Sequence, residues 1–304
     1  MVRIASLLPS ATEIVAALGF QDALVARSHE CDFPTGVDRL PHCTAPKIAL
    51  TGDSAEIDRR IKSVVEQGLS VYRVDSERLK TLRPDLIVTQ SQCEVCAVSE
   101  IELRSALEDW LEDAPRIVSL NPESLADIWR DFGNVAVSLG VADRGDDLVR
   151  SLKERMAAIA ARAAALPARP RVACIEWIDP LMAGGNWMPE LVTMAGGHNL
   201  FGEPGKHSPW LSWDAVVAAD PDVIVILPCG FGMARARTEM PSLTGRREWP
   251  DLRAVRSSRV CIADGHHFFN RPGPRIAESL EILAEMLHPD EFNFGHEGVG
   301  WAPL

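Results

Sequence analysis

The sequence predicts an α/β protein of two Rossmann-like lobes with mostly parallel sheets, joined by one long helix, with a ligand cleft between the lobes. Three observations carry that prediction. Residues 143–166, DRGDDLVRSLKERMAAIAARAAAL, are rich in strong helix formers and are closed by Pro167 and Pro170. On either side of this stretch the chain runs through the same programme twice. Arg3-Ile-Ala-Ser-Leu7 and later Arg83-Pro-Asp-Leu-Ile-Val-Thr89 are matched by Arg171-Val-Ala-Cys-Ile175 and Asp220-Pro-Asp-Val-Ile-Val-Ile226. Finally, the short continuous apolar runs alternate with helical patterns, as parallel strands with crossover helices do.

The helix over 143–166 would run roughly 30 Å at about 1.5 Å per residue. Leu148, Leu152, Met156, Ile159 and Ala163 give it one apolar stripe. An ordinary surface helix of a single domain would look similar. The restart of the pattern beyond it favours a linker between two lobes, divided as 1–140, 141–168 and 169–304.

At 304 residues the chain is long enough for two medium domains, and 46% hydrophobic with 24% charged residues is ordinary for a globular protein. A net charge of -12 excludes the basic footprint of a nucleic-acid binder. No apolar run approaches the roughly 20 residues that span a bilayer, so the chain is not membrane-embedded. Residues 1–18 are interrupted by Pro9, Ser10, Thr12 and Glu13 and do not read as a signal peptide. They read as a strand over 2–8, a turn at Pro9 and a helix from Ser10, with Ser10 and Glu13 spaced as a capping box and Gly19 as the stop. The expected location is therefore cytoplasmic, or periplasmic only where a signal has been removed.

In order, the chain then gives a polar loop from Ser28 to Pro46, a helix over 54–67 and a short strand over 71–74. The first Pro-Asp strand runs into Gln90-Ser-Gln-Cys-Glu-Val-Cys-Ala97. A helix over 101–111, a strand over 116–120 and a helix ending near Leu139 follow. In the second half, Glu176-Trp-Ile-Asp-Pro180 leaves the opening strand and a helix spans 188–194. The second Pro-Asp strand ends in Leu227-Pro-Cys-Gly-Phe-Gly232. A final strand over 259–263 delivers Asp264-Gly-His-His-Phe-Phe-Asn-Arg271 before the last helix, 275–287.

Open α/β sheets bind ligands at the ends of their strands. The strand-end loops make Ser10, His29, Gln90, Glu176, Trp177, Asn186, Trp187, Phe231, His266, His267, Phe268, Asn270 and Arg271 the candidate ligand-binding residues. Trp177, Trp187 and Phe268 could wall a large flat ligand, although core aromatics would read the same way. His266 and His267, adjacent in an extended loop, would point opposite ways, so one at most faces a ligand and could bind its metal.

The seven cysteines raise a second chemistry. His29, Cys31, Cys93 and Cys96 would make a tetrahedral zinc site, and three cysteines alone could hold an iron–sulfur cluster. Buried thiols at strand ends and a redox pair remain open alternatives. Other motifs carry less. Gly230-x-Gly232 has Arg235 where a dinucleotide fingerprint needs its third glycine, and reads as a tight turn. Ser10 lies in no nucleophile elbow, and Glu176 with Asp179 has uninformative spacing. Any enzyme or metallochaperone reading rests on the cysteine and histidine cluster.

The opening RIASLLPSATEIVAALG, the two Pro-Asp strands, EWIDPLMAGG with PELVTMAGG, and DGHHFFNRPGPRIAESLEILAEMLHP together resemble the cobalamin and iron-siderophore type of substrate-binding protein, the helix-linked class III. The likeness covers nearly the whole chain, and within it the chain looks like an unexported, cobalamin-binding-protein-like branch. The resemblance implies two lobes on one long helix, a cobalamin or related corrinoid or another metal chelate as ligand, and an ABC permease as partner. The oligomeric state is not readable from the sequence.

Overall fold

The computed structural model describes residues 2–66, 71–90, 103 and 114–304. They form two compact units. The first comprises residues up to 52, 56–122 and 126–150; the second comprises 53–55, 123–125 and 151–304.

In the first unit, β1 (Ile4–Ser6), β2 (Leu24–Arg27), β5 (Leu86–Gln90) and β6 (Arg116–Leu120) form a parallel sheet in the order β2-β1-β5-β6. All five residues of β5 are buried, as expected of a central parallel strand covered on both faces. The crossover from β1 to β2 is the helix Pro9–Ala17. Here the sequence reading is corrected. Pro9 opens the helix instead of turning ahead of it, because its missing N–H and fixed φ suit the first turn. Ser10 and Glu13 form no capping box: Leu8 is the N-cap, without a side-chain bond, and both polar residues are buried. The strand expected over 71–74 is β4 (Tyr72–Val74). It pairs with β3 (Thr44–Pro46) in a separate antiparallel ribbon outside the main sheet.

In the second unit, β7 (Arg171–Trp177), β10 (Val223–Ile226) and β11 (Val260–Ala263) are parallel. β8 (Met182–Ala183) returns antiparallel along β7, and β9 (His198–Asn199) pairs with the start of β7. The strand expected to be last is not last. β12 (Trp301–Pro303), in the C-terminal tail, adds antiparallel to β11. The helix Ile276–Leu287 is buried at all but one of its positions.

The repeated Pro-Asp turn has a repeated geometry. Asp85 accepts the backbone N–H of Arg3 at 2.7 Å, and Asp222 accepts that of Arg171 at 2.8 Å, so each turn fastens the start of its own unit's opening strand. The residues before the two prolines, Arg83 and Asp220, both take positive φ as helix C-caps. The long helix is Ala142–Ala164, with Leu152, Met156, Ile159 and Ala163 buried and Leu148 half-buried. Gly145 lets the helix Leu125–Ser138 come close, since a Cβ there would lie 2.4 Å from that of Ala136.

Candidate functional site

In the first unit, the loop after β2 is organised by one guanidinium. Arg27 donates to the carbonyls of Ser28, His29, Cys31, Asp38 and Leu40, which fixes a loop whose one regular element is the 3₁₀ turn Val37–Arg39. His29 sits on this frame. Its Nδ1 is 2.7 Å from the Thr44 hydroxyl, and its ring lies 5.3 Å from that of Tyr72, whose hydroxyl donates to Glu30. Burial, helped by nearby His42 and Arg27, lowers the imidazole to about 4. The ring is therefore neutral at physiological pH, and its buried Nε2 meets no hydrogen-bond partner among the described residues.

Cys31 is buried, and its sulfur accepts a hydrogen bond from the Thr12 hydroxyl at 3.0 Å. Cys93 and Cys96, the other half of the expected metal set, lie outside the described residues, as does the helix expected over 101–111 apart from Leu103. Burial pushes the thiols of Cys43 and Cys261 up to about 11 and that of Cys174 up to about 12, so these three behave as small apolar core groups. Of the remaining candidates in this unit, Ser10 is buried in the first helical turn and Gln90 ends β5 with little exposure.

The second unit gathers more of the candidates. Trp177, at the end of β7, and Phe231, in the loop after β10, pack with ring centroids 5.3 Å apart. The Arg235 guanidinium lies 4.8 Å from the centre of the Phe231 ring and pairs with the buried carboxylate of Glu239. The next loop contradicts the extended conformation expected of it. Residues Gly265–Phe269 form a single π-helical turn capped by Asp264, because its carboxylate accepts the His267 N–H at 2.9 Å. His266 and His267 consequently sit side by side, with ring centroids 4.6 Å apart, instead of on opposite sides of a strand.

The same Asp264 carboxylate holds His267 Nδ1 at 2.7 Å. Burial pushes the Asp264 carboxyl up, but the hydrogen bonds from the His267 ring and backbone outweigh that, and it stays below the usual range. This is a carboxylate–histidine pair of the kind that orients an imidazole toward a metal. His266 Nε2 lies 2.8 Å from Arg271 Nη2; arginine only donates, so Nε2 is the acceptor. Asn270 spends its amide on the Gly265 carbonyl, and Phe268 packs near Gly300 and under Arg275.

Glu176 and Asn186 belong to a second group of loops. Glu176 accepts from the Ser208 hydroxyl, which in turn accepts the Gly185 N–H at 3.1 Å. Asn186 takes positive φ and is bound through its backbone to Lys206 and Gly205, and Trp187 beside it is buried. A cavity of about 550 Å³ lies at the opposite end of this sheet, by the starts of β7 and β10, among Arg169, Asp222, Arg253, Arg259 and His288.

Asp264 and Ser208 were missed by the sequence reading. An Asp three residues ahead of a His, just after a buried strand, is the signal that would have found Asp264. Nothing local points to Ser208, which reaches Glu176 from 32 residues away.

The periplasmic binding protein family model matches residues 4–266. The chain belongs to that family. It is 23% identical over 299 residues to an uncharacterised ABC transporter substrate-binding lipoprotein, YvrC, of Bacillus subtilis, covering 95% of this chain and 81% of the relative. It is 24% identical over 290 residues to a vitamin B12-binding protein of Photorhabdus laumondii, covering 94% and 88%. Among solved structures, the periplasmic heme-binding protein RhuT of Roseiflexus superposes with a TM-score of 0.69 at 21% identity, covering 95% and 98% of the two chains. The two-lobed α/β expectation and the resemblance to the cobalamin and iron-siderophore type of substrate-binding protein both hold, whereas the unexported branch does not. The cytoplasmic expectation does not: the matched family is periplasmic and the relatives include a lipoprotein, which points to a location outside the cytoplasm. No helix among the described residues is long and apolar enough to cross a membrane.

Proposed function

We propose that this protein is the ligand-binding component of an ABC importer and that its ligand is a cobalamin-like corrinoid or another tetrapyrrole metal chelate. The observation that carries the reading is the strand-end surface of the second unit. It sets the Trp177 and Phe231 rings beside a loop whose His267 imidazole is oriented by a buried carboxylate. Flat aromatic faces suit a large conjugated or corrin ring, and an oriented imidazole suits its metal. Relatives named for vitamin B12 and for heme support the ligand class. Delivery to a permease is the role that accompanies this family's binding proteins.

The alternative, a metal-dependent enzyme or metallochaperone built on His29, Cys31, Cys93 and Cys96, draws no support from the described residues. Cys31 Sγ already accepts from Thr12, His29 is bound to Thr44 through Nδ1 and keeps only its buried Nε2, and Cys93 and Cys96 lie outside the described residues.

Tryptophan-fluorescence titration with cyanocobalamin and with haemin tests the reading. Saturable quenching by one of them, weakened at least tenfold in Trp177→Ala or His267→Ala, supports it. No quenching by either ligand contradicts it.

A further inference from the structure

Phe231, Arg235 and Glu239 follow one another at a spacing of four residues, along the helix Met233–Glu239 and the two residues that lead into it. Glu239, the last residue of that helix, is only 6% exposed. A buried carboxylate is tolerated where its oxygens are met, and here both are. Oε1 lies 2.9 Å from Arg235 Nη2, and Oε2 accepts the backbone N–H and the hydroxyl of Ser54, each at 3.0 Å. Ser54 belongs with residues 53–55 to the second unit, so this clamp is internal to that unit.

Arg235 is the member that the clamp constrains most. Its side chain is 39% exposed, and a long exposed side chain gives up considerable rotamer freedom when it is held in one place. The carboxylate holds it there, with the guanidinium carbon 4.8 Å from the centre of the Phe231 ring. A cation over an aromatic face is attracted by the ring's quadrupole, so the guanidinium in turn restrains the ring. Phe231 packs on Trp177, and its carbonyl accepts the His266 N–H at 3.1 Å. A Cβ on Gly265 would lie 2.2 Å from Pro228 O, which shows how closely the two loops approach. Phe231 therefore joins the aromatic pair to the turn that carries His266 and His267.

We infer that Glu239 is a positioning residue of the candidate ligand site, acting through Arg235 to set the Phe231 ring against Trp177. The inference rests on the ligand-binding reading above and adds to it a determinant that stands behind the aromatic pair.

A double-replacement cycle separates this role from a merely stabilising one. Glu239→Gln keeps the size and an acceptor for Ser54 but removes the charge that holds Arg235. Arg235→Met removes the guanidinium and leaves the bonds from Ser54 to Glu239 in place, so it carries the same cycle if Glu239→Gln does not fold. With cyanocobalamin or haemin, whichever binds the wild type, each variant is expected to bind about 3- to 10-fold more weakly. In a Phe231→Leu background, neither replacement is expected to cause a further loss. Undiminished affinity in Arg235→Met, or an equal loss with and without Phe231, overturns the inference and leaves the proposed function standing. Binding of neither probe by the wild type defeats the proposed ligand class instead. The positioning is then decided on the ligand-free protein labelled with 5-fluorotryptophan. Of its eight tryptophans, Trp177 gives the ¹⁹F signal that is absent from Trp177→Phe. The inference stands if Arg235→Met shifts that signal when Phe231 is present and not in Phe231→Leu. It falls if the signal stays in place or shifts equally in both.

Discussion

The carboxylate of Asp264 lies 2.7 Å from Nδ1 of His267 and also caps the turn on which His267 sits. One side chain therefore fixes both the backbone and the ring orientation of the histidine. Replacing Asp264 by Asn keeps an acceptor for the cap but removes the charge. Its expected effect is a 10- to 100-fold loss of affinity for a metal-centred ligand, about the usual cost of losing such a partner. Calorimetric titration of the variant and the wild type checks this.

The sign of the pH effect at Asp264 also follows. Its carboxyl lies below its ordinary value when folded, so its contribution to stability is present above about pH 4 and is lost as pH falls through the lower folded value. Denaturant unfolding between pH 5 and 2 should show a loss in the wild type that is smaller in Asp264→Asn.

Asp131 behaves in the opposite sense. It is buried on the helix Leu125–Ser138, and burial raises its carboxyl to about 6, although the Asn121 N–H donates to it. A raised folded value favours the protonated form, so the contribution of Asp131 to stability is fully present below about pH 4 and is lost as pH rises through about 6. Asp131→Asn should raise stability at pH 7 by about 1–3 kcal/mol and abolish that slope, as read from unfolding midpoints across pH 4–7.

His29 is lowered to about 4 by burial first, then by His42 and Arg27. The folded protein resists its protonation, so stability is lost as pH falls from about 6.5 toward 4. Imidazole NMR of the native protein should show His29 still neutral at pH 5, with the signal identified by its absence from His29→Gln.

Glu285, buried on the helix Ile276–Leu287, accepts the backbone N–H groups of Phe294, Gly295 and His296 on one oxygen and Trp301 Nε1 at 2.7 Å on the other. It anchors the tail that supplies β12, and through the bond from Asp264 N–H to Gly300 O that tail reaches the candidate site. Glu285→Ala leaves four donors unmade and should cost about 2–4 kcal/mol. Hydrogen exchange should rise throughout residues 289–304 and reach Asp264.

Much of this was legible in the sequence because it depends on local pattern. The Pro-Asp strands, the helix at 142–164 and the helix at 188–194 follow from buried runs, helix formers and proline stops. What was missed depends on partners far along the chain. β12 is three residues in a polar tail and becomes a strand only against β11. The π-helical turn at 265–269 arises from the Asp264 cap and was hidden by reading adjacent histidines as extended. Pro9 was read as a turn because its placement in the first helical turn depends on Leu8 staying extended. The location was misjudged from the residues at one end of the chain, whereas the family match rests on 4–266.

The central claim is that the strand-end loops bind a tetrapyrrole metal chelate. Calorimetric titration of the protein with cyanocobalamin and with haemin measures it directly. The account predicts saturation at a fixed stoichiometry by one of them, lost in His267→Ala. Absence of binding by both, in a folded protein that carries stoichiometric zinc or iron without a tetrapyrrole, would contradict it.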